Sequence, residues 1–589
     1  MGSCQKLLSG LYDHDVLVFC GFNAISAGAT KTMIQEELME ILNTMNERTD
    51  IIQDLALNVI RDDLESFNFN IKHNLVWDYS IENLMDKSSR FASSLQSDSL
   101  KMYAYDIALL CKGIQLRSYN TVMSMIRKSG HRTLIAKAKN LMEIMGQMDK
   151  ASGEDLKILA EQRKKLEDEL FSSSRMFGDI RTRLYASWKD VKSALKENDV
   201  AIEFTSSKDK DLYACVLTSD CAVPYMIRLC NSDSLDWNTS SLQNAKASTL
   251  IWKPLHELIH NKKNLYISPT GVLNEIPIES LPFYNNSNKY MSDIYDIHRL
   301  SSTRELTYKN TIEGTGCIVY GGLHYDMSMD DLKNNAQLYP ELRASANADL
   351  ARFYKDRGNR EAMSNTPYLP GTEIEAEQIS NTMKDSSLPV ELFLQDKGTE
   401  ASFKSINGKG RNVIHIATHG FYMNEADSKA IYGDNMNSDQ QQRTEEDKSL
   451  MRSGLLFAGA DNFLMGETIP DGIEDGILTS LEISTMNLVG LDLITLSACE
   501  TAKGDIKGEG VFGLQRGFKK AGANSILMSL WKVDDKATCK LMTEFYANWI
   551  AKKMTKHDAL EAAKLTIRKT PEWSDPKYWA AFILLDAIN

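Results

Sequence analysis

Residues 491–505 read LDLITLSACETAKGD, and they give the clearest indication of the fold. Positions 491–498 are mostly apolar on both alternating faces, and Cys499 follows them directly. A strand that is apolar on both faces is typical of a parallel sheet whose two sides are covered by helices. Open α/β sheets place their chemistry just beyond the carboxyl ends of such strands. Cys499 is therefore predicted to stand at the mouth of a sheet.

A second stretch, VIHIATHGF at 413–421, has the same form. Its apolar run ends in His419, and Gly420 comes next. Neighbouring strands lie about 4.8 Å apart, so side chains that leave the carboxyl ends of two adjacent parallel strands can meet over one cleft. We expect Cys499 and His419 to meet in this way.

A cysteine beside a histidine has a definite chemistry. A free thiol has a pKa of about 8.5, and a nearby imidazole can accept its proton and later deliver it to a leaving amine. The backbone N–H groups of Gly420 and of Cys499 itself are candidate donors to a negative oxygen, an oxyanion hole. Taken singly, a cysteine at a strand end is usually a small core residue. His415, which shares a strand face with His419, is predicted to be a core histidine.

Strands and helices alternate after residue 312. The apolar runs that we interpret as strands are 317–320, 390–394, 412–418, 491–497, 525–530 and 579–585. Helices are predicted between them at 372–383, 511–521 and 538–551. Thr372 is the expected N-cap of the first of these helices, with Glu375 at the capping-box position. The pattern predicts an α/β fold with a mostly parallel sheet and flanking helices.

Composition and the spacing of apolar residues divide the chain into regions. Residues 1–150 have apolar positions at three- and four-residue spacing and predict an all-α region, in which a weak internal similarity suggests helical-hairpin repeats. Residues 151–198 predict connecting helices, residues 199–310 contain short β-type runs without a site, and residues 311–589 hold the sheet just described. Residues 423–448 are acidic with little apolar period. They predict an exposed insertion that gates a cleft, is cut during activation or is simply solvated.

The composition disfavours several classes of protein. The net charge of −13 gives no broad basic field for a nucleic acid. No apolar run reaches the roughly 18–20 residues that span a bilayer, and the N-terminus lacks a signal-type segment, so no membrane contact is expected. The nine cysteines include no C-x-x-C pair, which disfavours a disulfide framework or a zinc site and favours the reducing cytoplasm. We expect neither a metal nor another cofactor.

Several strings of the sequence together resemble the CHAT family, caspase-like cysteine peptidases that are commonly fused to tetratricopeptide-type helical repeats. They are NLYISPTGVLNEIPIESLPF (264–283), YLPGTEIEAEQI (368–379), VIHIATHGF (413–421), SGLLFAGADN (453–462), DGILTSLEI (475–483), LDLITLSACETAKGD (491–505), GEGVFGLQRGFKKAGANSILMSLWKVDD (508–535) and DPKYWAAFILLD (575–586). The resemblance implies that Cys499 and His419 are the catalytic dyad. It also implies a caspase-like sheet in 311–589, a degenerate caspase-like half in 199–310 and a tetratricopeptide-like N-terminal region.

The resemblance further implies where a peptide substrate binds. The substrate main chain of caspase-like enzymes adds to the strand after the cysteine strand, which here is 529–533, so the predicted walls of the cleft are Leu530, Trp531 and Lys532. Ser497 stands two residues before the cysteine, at a position that helps to form the floor of the first-residue pocket in several relatives. Its neutral side chain disfavours a charged residue at the cleavage position.

Charged residues in the surrounding loops leave that specificity open. Glu509 and Asp534 are candidate substrate-binding residues, and Asp505 and Asp535 are further sources of charge. Structural alternatives are Glu509 as the cap of the next helix and Trp531 as a packed anchor.

The sequence therefore predicts a cysteine endopeptidase that cleaves a protein partner by thiol attack through an acyl-enzyme intermediate. The helical N-terminal region is the expected contact for a regulatory protein or a larger effector complex. One alternative is a non-catalytic scaffold that keeps the fold and binds protein partners. Another is a different acyl transfer by the same dyad, such as transpeptidation.

Overall fold

The computed structural model of the chain describes residues 77–151, 153–174, 186–235, 245–308, 314–340, 366–424, 442–507 and 510–588. Some predictions from the sequence concern residues outside these ranges. They are the first half of the all-α region (1–76), most of the acidic insertion (425–441) and the substrate-binding role of Glu509.

The N-terminal part of the described chain is helical, as predicted. Its helices are α1 (Trp77–Leu95), α2 (Asp98–Cys111), α3 (Ile114–Lys128), α4 (Arg132–Lys150), α5 (Gly153–Ser174) and α6 (Trp188–Ala194). Consecutive helices form hairpins, because α1 packs on α2 and α4 packs on α5 across short connections. The buried side chains Leu100, Ala104, Ile107 and Cys111 of α2 recur at helical spacing.

The rest of the chain is built around strands. They are β1 (Asp199–Ser206), β2 (Asp211–Thr218), β3 (Tyr225–Asn231), β4 (Asn264–Ser268), β5 (Pro282–Phe283), β6 (Asn286–Tyr290), β7 (Asp296–Arg299), β8 (Cys317–Gly321), β9 (Val390–Leu394), β10 (Val413–Ala417), β11 (Gly420–Tyr422), β12 (Ser453–Leu456), β13 (Ile477–Thr479), β14 (Leu493–Ser497), β15 (Gly504–Lys507), β16 (Gly510–Gly513), β17 (Ser525–Ser529) and β18 (Phe582–Leu585).

Eleven of these strands form one sheet in the order β3-β2-β1-β4-β7-β18-β17-β14-β10-β8-β9. Neighbours are parallel except at β3–β2, β2–β1 and β17–β18. The inner strands β8, β10, β14 and β17 are buried at every position, which explains why their sequences are apolar on both faces. The prediction of a mostly parallel α/β sheet is confirmed.

Helices cover this sheet. They are α7 (Ala245–Ile251), α8 (His256–Ile259), α9 (Met329–Ala336), α10 (Pro370–Asp385), α11 (Glu400–Lys404), α12 (Glu445–Leu450), α13 (Ala460–Leu464), α14 (Ser480–Ser484), α15 (Leu514–Ala521), α16 (Asp535–Tyr546), α17 (Lys556–Lys569) and α18 (Pro576–Trp579). Smaller sheets pair β11-β12-β13, β15-β16 and β5-β6. Among the described residues, every helix is too short or too polar to cross a bilayer.

The two predicted halves of the α/β region share the large sheet. They meet where β7 runs parallel to β18, with Arg299 opposite Leu585. Asp586 fastens this junction, since its N–H donates to the Arg299 carbonyl at 3.0 Å and its carboxylate accepts from the Ser301 N–H at 2.7 Å. The strands of 199–310 therefore extend the sheet that carries Cys499.

The helical region packs directly on the first half of that sheet. Apolar side chains of α1, α2 and α6 form one cluster with Ala201 and Tyr213 of β1 and β2. Just after α2, the ammonium of Lys112 lies 2.8 Å from the carboxylate of Glu203, and both side chains are buried. A buried charge of this kind needs its partner, so the pair fixes the position of α2 on the sheet.

Two predicted helix starts are wrong. α10 begins at Pro370 with Leu369 as N-cap, and the Thr372 hydroxyl instead donates to the Leu369 carbonyl and accepts from the Gly322 N–H. Proline suits the first helical position because its missing N–H is not needed there. The helix predicted at 511–521 begins only at Leu514, because residues 510–513 pair with β15.

A buried lysine holds several carboxylates together beside the sheet. The Lys404 ammonium lies 2.6 Å from Glu400, 2.8 Å from Glu474 and 2.8 Å from Glu482. The three carboxylates are close enough to share a cation, and the ammonium occupies that position. Burial raises the pKa of Glu400 well above its usual range, Lys404 opposes that shift, and the neighbouring carboxylates add to it.

We predict that Lys404→Met lowers the free energy of unfolding by about 3–5 kcal/mol, because it leaves buried carboxylates without a cation. Without Lys404, the Glu400 pKa rises further above its unfolded value. The folded variant then binds protons that the unfolded chain releases, so its stability falls as pH rises above about 5. Urea unfolding at pH 5 and pH 8 measures this effect.

The matched control is Lys540→Met. Lys540 pairs with Glu544 on α16, and its side chain is 46% exposed, so little change is expected. A gap between wild type and Lys404→Met that stays constant from pH 5 to pH 8 would contradict the account of the cluster.

Candidate functional site

The register of two neighbouring strands positions the predicted pair. β10 runs parallel to β14, with Ala417 opposite Ser497. The Thr418 N–H donates to the Ser497 carbonyl at 3.3 Å, so the pairing continues one residue beyond the strands. His419 and Cys499 each lie two positions past the last paired residues. His419 and Cys499 therefore stand at equivalent positions beyond two adjacent strands.

Gly420 lies against the backbone of Cys499. A Cβ atom at Gly420 would lie 2.7 Å from the Cys499 carbonyl oxygen and 3.4 Å from Cβ of Ala498, which leaves no room for a side chain. The Leu456 N–H donates to the His419 carbonyl at 3.0 Å. Because hydrogen-bonded and non-bonded pairs alternate between antiparallel strands, the Gly420 N–H points away from β12.

The segment before α10 fixes the imidazole of His419. Nε2 lies 2.8 Å from the carbonyl oxygen of Pro367. A carbonyl can only accept, so Nε2 carries the proton of the neutral ring and Nδ1 is left as the proton acceptor. The ring of Tyr325 packs beside the imidazole, with centroids 5.1 Å apart. The ring is thus held in one tautomer and one orientation.

Asp461 in turn holds the segment that carries Pro367. Its carboxylate accepts from the Thr366 N–H at 3.1 and 3.2 Å and also from the Thr366 hydroxyl. Asp461 lies on α13, directly after β12. No role was predicted for Pro367, Asp461 or Tyr325 from the sequence, although Asp461 falls within the string SGLLFAGADN.

The segment before α16 contacts the sulfur of Cys499. The backbone N–H of Val533 and the charge of Lys532 both act to lower the pKa of the thiol. Glu500, the next residue, has φ 57. This left-handed conformation is uncommon for a non-glycine residue and turns the chain sharply away after Cys499. The sequence gives no sign of the Val533 N–H, because a backbone group leaves no trace in residue type.

Both candidate groups are perturbed by burial. Burial raises the pKa of the Cys499 thiol, and the Val533 N–H and Lys532 oppose this. Burial likewise lowers the pKa of His419, and Lys532 adds to the effect, whereas the hydrogen bond to Pro367 opposes it. These directions favour a neutral thiol and a neutral imidazole at pH 7, so a reaction of the thiol as a nucleophile would need a base.

The other histidine of β10 is a core residue, as predicted. His415 is fully buried, and its Nε2 lies 2.9 Å from the Glu375 carboxylate on α10. Its ring meets the edge of the Tyr546 ring on α16, with centroids 5.4 Å apart. Glu375, expected in a capping box, instead pairs with this histidine.

The predicted cleft wall is only partly an edge. Within 529–533, Ser529 pairs with Phe582 of β18 and the Leu530 N–H donates to the Ala581 carbonyl at 2.9 Å. β17 is therefore an inner strand, and the expectation of a free edge at these two positions is wrong. Of the predicted wall, only the residues from Trp531 onward lie beyond the pairing with β18 and Ala581.

The predicted substrate residues have different surroundings. Leu530 is buried, and the indole N–H of Trp531 donates to the Lys577 carbonyl at 3.0 Å, which makes Trp531 a packed anchor. Lys532 is exposed. Asp534 caps α16 by accepting from the Ala537 N–H at 2.9 Å. Ser497 is buried, and within the described residues its hydroxyl has no hydrogen-bond partner.

Comparisons with known proteins show the family of the chain. Residues 244–587, more than half of the chain, match the sequence profile of the CHAT domain. Tetratricopeptide repeat protein 28 of Homo sapiens is 23% identical over 231 residues, which cover 37% of this chain and 8% of the human protein. The Mus musculus protein is 23% identical over 229 residues, again 8% of its length. The chain thus spans a small part of these relatives.

Two solved structures are similar at low identity. The Arg-specific cysteine proteinase gingipain R matches with a TM-score of 0.32 and 8% identity, over 59% of this chain and 69% of that one. The Saccharomyces cerevisiae separase–securin complex matches with a TM-score of 0.37 and 11% identity, over 92% of this chain and 40% of that one.

We predict that Lys532→Gln slows alkylation of Cys499 by iodoacetamide at pH 8 about two- to threefold. Lys532 lowers the pKa of the thiol, so its loss raises that pKa and reduces the thiolate fraction, and the exposure of the lysine keeps the effect small. Mass spectrometry of the peptide that contains Cys499 follows the rate. Because burial raises the pKa of the thiol, the alkylation rate of Cys499 should continue to rise at pH values where the rate of a free cysteine has already levelled off.

Lys532→Arg is the matched control and should react like wild type. Cys539 on α16, whose pKa burial raises to about 12, provides a slow internal reference in each sample. An unchanged or faster reaction of Cys499 in Lys532→Gln would contradict the electrostatic account of the site.

Proposed function

Because the chain belongs to the CHAT-domain family, we propose that it is a caspase-like cysteine endopeptidase that cleaves a protein partner. The observation that carries the proposal is the register of β10 and β14, which brings His419 and Cys499 to equivalent positions beyond adjacent strands. The fixed tautomer of His419 supports it, since Nδ1 is the nitrogen left to accept a proton.

Each step of the reaction has a residue in this proposal. Cys499 Sγ attacks the scissile carbonyl while Nδ1 of His419 takes the thiol proton. The N–H groups of Cys499 and Gly420 stabilise the resulting oxyanion. The carbon–nitrogen bond then breaks, His419 returns the proton to the leaving amine, and an acyl-enzyme remains. Water attacks the acyl-enzyme with His419 again as the base and releases Cys499.

We propose that the residue at the cleavage position is uncharged. The predicted floor residue Ser497 is neutral and buried, so it brings no charge to the pocket. Two acidic candidates are engaged elsewhere, because Asp505 is bound by Arg452 and Ser449, and Asp534 caps α16. Cleavage of a peptide library tests this, and a strong preference for arginine, lysine, aspartate or glutamate at the cleavage position would contradict it.

The direct test of the function compares cleaved proteins. We predict that cells that express the wild-type chain contain protein fragments that are missing with Cys499→Ala and with His419→Ala, because each variant lacks one half of the dyad. Quantitative N-terminal proteomics measures the fragments. A residual rate at least about a thousandfold below wild type is expected once a substrate is in hand.

Cys539→Ala and His260→Ala are matched controls, because they change the same residue types away from the site. If Cys499→Ala gave the same fragments as wild type, the peptidase proposal would be wrong. Binding of the same partner proteins with no fragments in any sample would favour the scaffold.

We propose that the helical region regulates the site through the end of the acidic insertion. Arg163 on α5 forms a buried ion pair with Asp447 on α12, and Arg443 donates to the Ala151 carbonyl at 3.0 Å. α12 leads into β12, which pairs with β11 at Gly420. A protein that binds the helices and shifts α5 would thus act on the residue beside His419.

We propose that the protein works in the cytoplasm, because the cysteines of the described residues are free and a reducing compartment keeps cysteines in that state.

We predict that Arg163→Met lowers kcat/KM about tenfold. Asp447 is left buried without its cation, and the resulting shift of β12 displaces Gly420 and His419 from their reactive positions. Lys137→Met is the control, because it breaks the Lys137–Glu169 pair within the helical region alone. Equal activity of Arg163→Met and Lys137→Met would contradict the proposal that α5 regulates the site through α12.

A further inference from the structure

Two neighbours support the imidazole of His419, and one carboxylate residue is bonded to the segments that carry both. The neighbours are the Pro367 carbonyl, 2.8 Å from Nε2, and the ring of Tyr325, whose centroid lies 5.1 Å from that of the imidazole. The residue that both segments share is Asp461. It is 5% exposed, so its hydrogen bonds form largely out of water, where they are electrostatically stronger.

The first connection runs through the dipeptide Thr366-Pro367. The Asp461 carboxylate accepts from the N–H of Thr366 at 3.1 Å and also from its hydroxyl. A residue before proline is confined to extended conformations, and the proline ring fixes its own φ. Few rotations therefore separate the anchored Thr366 N–H from the Pro367 carbonyl. The far end of the segment is fixed by α10, which begins at Pro370. The carboxylate thus aims the carbonyl at Nε2.

The second connection runs through the backbone of Asp461. Its N–H donates to the Tyr325 carbonyl at 2.9 Å. The hydroxyl of Tyr325 lies 2.9 Å from that of Thr418, the residue before His419. The Tyr325 ring is therefore held at its backbone by Asp461 and at its hydroxyl by the histidine strand. Because this ring packs beside the imidazole, it limits the rotation of the imidazole.

Asp461 also brings a negative charge to this end of the sheet. Burial lowers the pKa of His419, and the charge of Lys532 adds to this, whereas the hydrogen bond to Pro367 raises the pKa. The charges of Asp461 and Asp535 raise it as well. A carboxylate near an imidazole stabilises its charged form, so Asp461 favours the imidazolium that would form when His419 takes a proton.

We propose that Asp461 is a positioning residue of the candidate site and sets which nitrogen of His419 carries the proton. It acts through Thr366, Pro367 and Tyr325. An ionised carboxylate suits this role because it only accepts and has two oxygens for the two donors of Thr366. Without this anchor the Pro367 carbonyl turns away, and the proton is free to move to Nδ1, where it blocks the nitrogen that would accept the thiol proton. The effect on catalysis rests on the proposed function, but the tautomer is a property of the folded chain alone.

Magic-angle-spinning 15N NMR of the full chain, labelled at its ten histidines, tests the proposal at pH 8, where a histidine is neutral. The signals of His419 are those that His419→Ala removes. We expect one protonated and one unprotonated nitrogen with well-separated signals in wild type. In Asp461→Asn the two signals should move toward each other, because two tautomers then exchange. Labelling of Cys499 by a peptide acyloxymethyl ketone should slow about tenfold in the same variant.

Asp396→Asn is the matched control. Asp396 is an exposed carboxylate that lies 2.9 Å from His324, the residue before Tyr325, and its loss should leave both measurements unchanged. Thr366→Val removes one of the two donors and keeps the charge of Asp461, so it should move the His419 signals by a smaller amount.

Wild-type 15N signals of His419 in a folded Asp461→Asn variant would overturn the proposal. If Asp461→Asn does not fold, unchanged signals in Thr366→Val would overturn it instead. Signals that approach each other in Asp461→Asn, with no ketone label on Cys499 even in wild type, would support the positioning role and count against the peptidase function.

Discussion

The parallel register between β10 and β14 determines where the two candidate residues stand. With Ala417 opposite Ser497, His419 and Cys499 occupy equivalent positions beyond the two strands. Since side chains alternate along a strand, a slip of one residue would remove this equivalence. The contact between Gly420 and the Cys499 carbonyl adds a second restraint, because only glycine permits the two chains to approach so closely.

Two segments that precede helices complete the site. The one before α10 supplies the Pro367 carbonyl to His419, and the Val533 N–H of the one before α16 lowers the pKa of Cys499. Asp535 joins the two segments by accepting from the Gly371 N–H at 2.9 Å. A change in one segment is therefore transmitted to the other.

The sequence predicts the sheet well because burial on both faces leaves a clear pattern in β8, β10, β14 and β17. It also places His419 and Cys499 at the ends of neighbouring strands, and the structure brings those ends together. The hydrophobic pattern does not predict features that depend on the path of the backbone. Strand order is not written in local periodicity, so β17 was expected to offer an edge that β18 occupies.

Other features depend on long-range contacts that a single sequence does not contain. Asp461 orients the Pro367 segment across 95 positions of sequence, and the junction of Arg299 with Leu585 merges two halves that the composition separates.

Covalent trapping of Cys499 shows whether His419 activates its thiol. A peptide acyloxymethyl ketone reacts with a thiol that a neighbouring base activates, whereas iodoacetamide also reacts with an isolated thiolate. We predict that intact-protein mass spectrometry shows one ketone label per wild-type chain at Cys499, and that His419→Ala abolishes this label while Cys499 still reacts with iodoacetamide. Equal ketone labelling of Cys499 in wild type and His419→Ala would show that the two side chains do not act together.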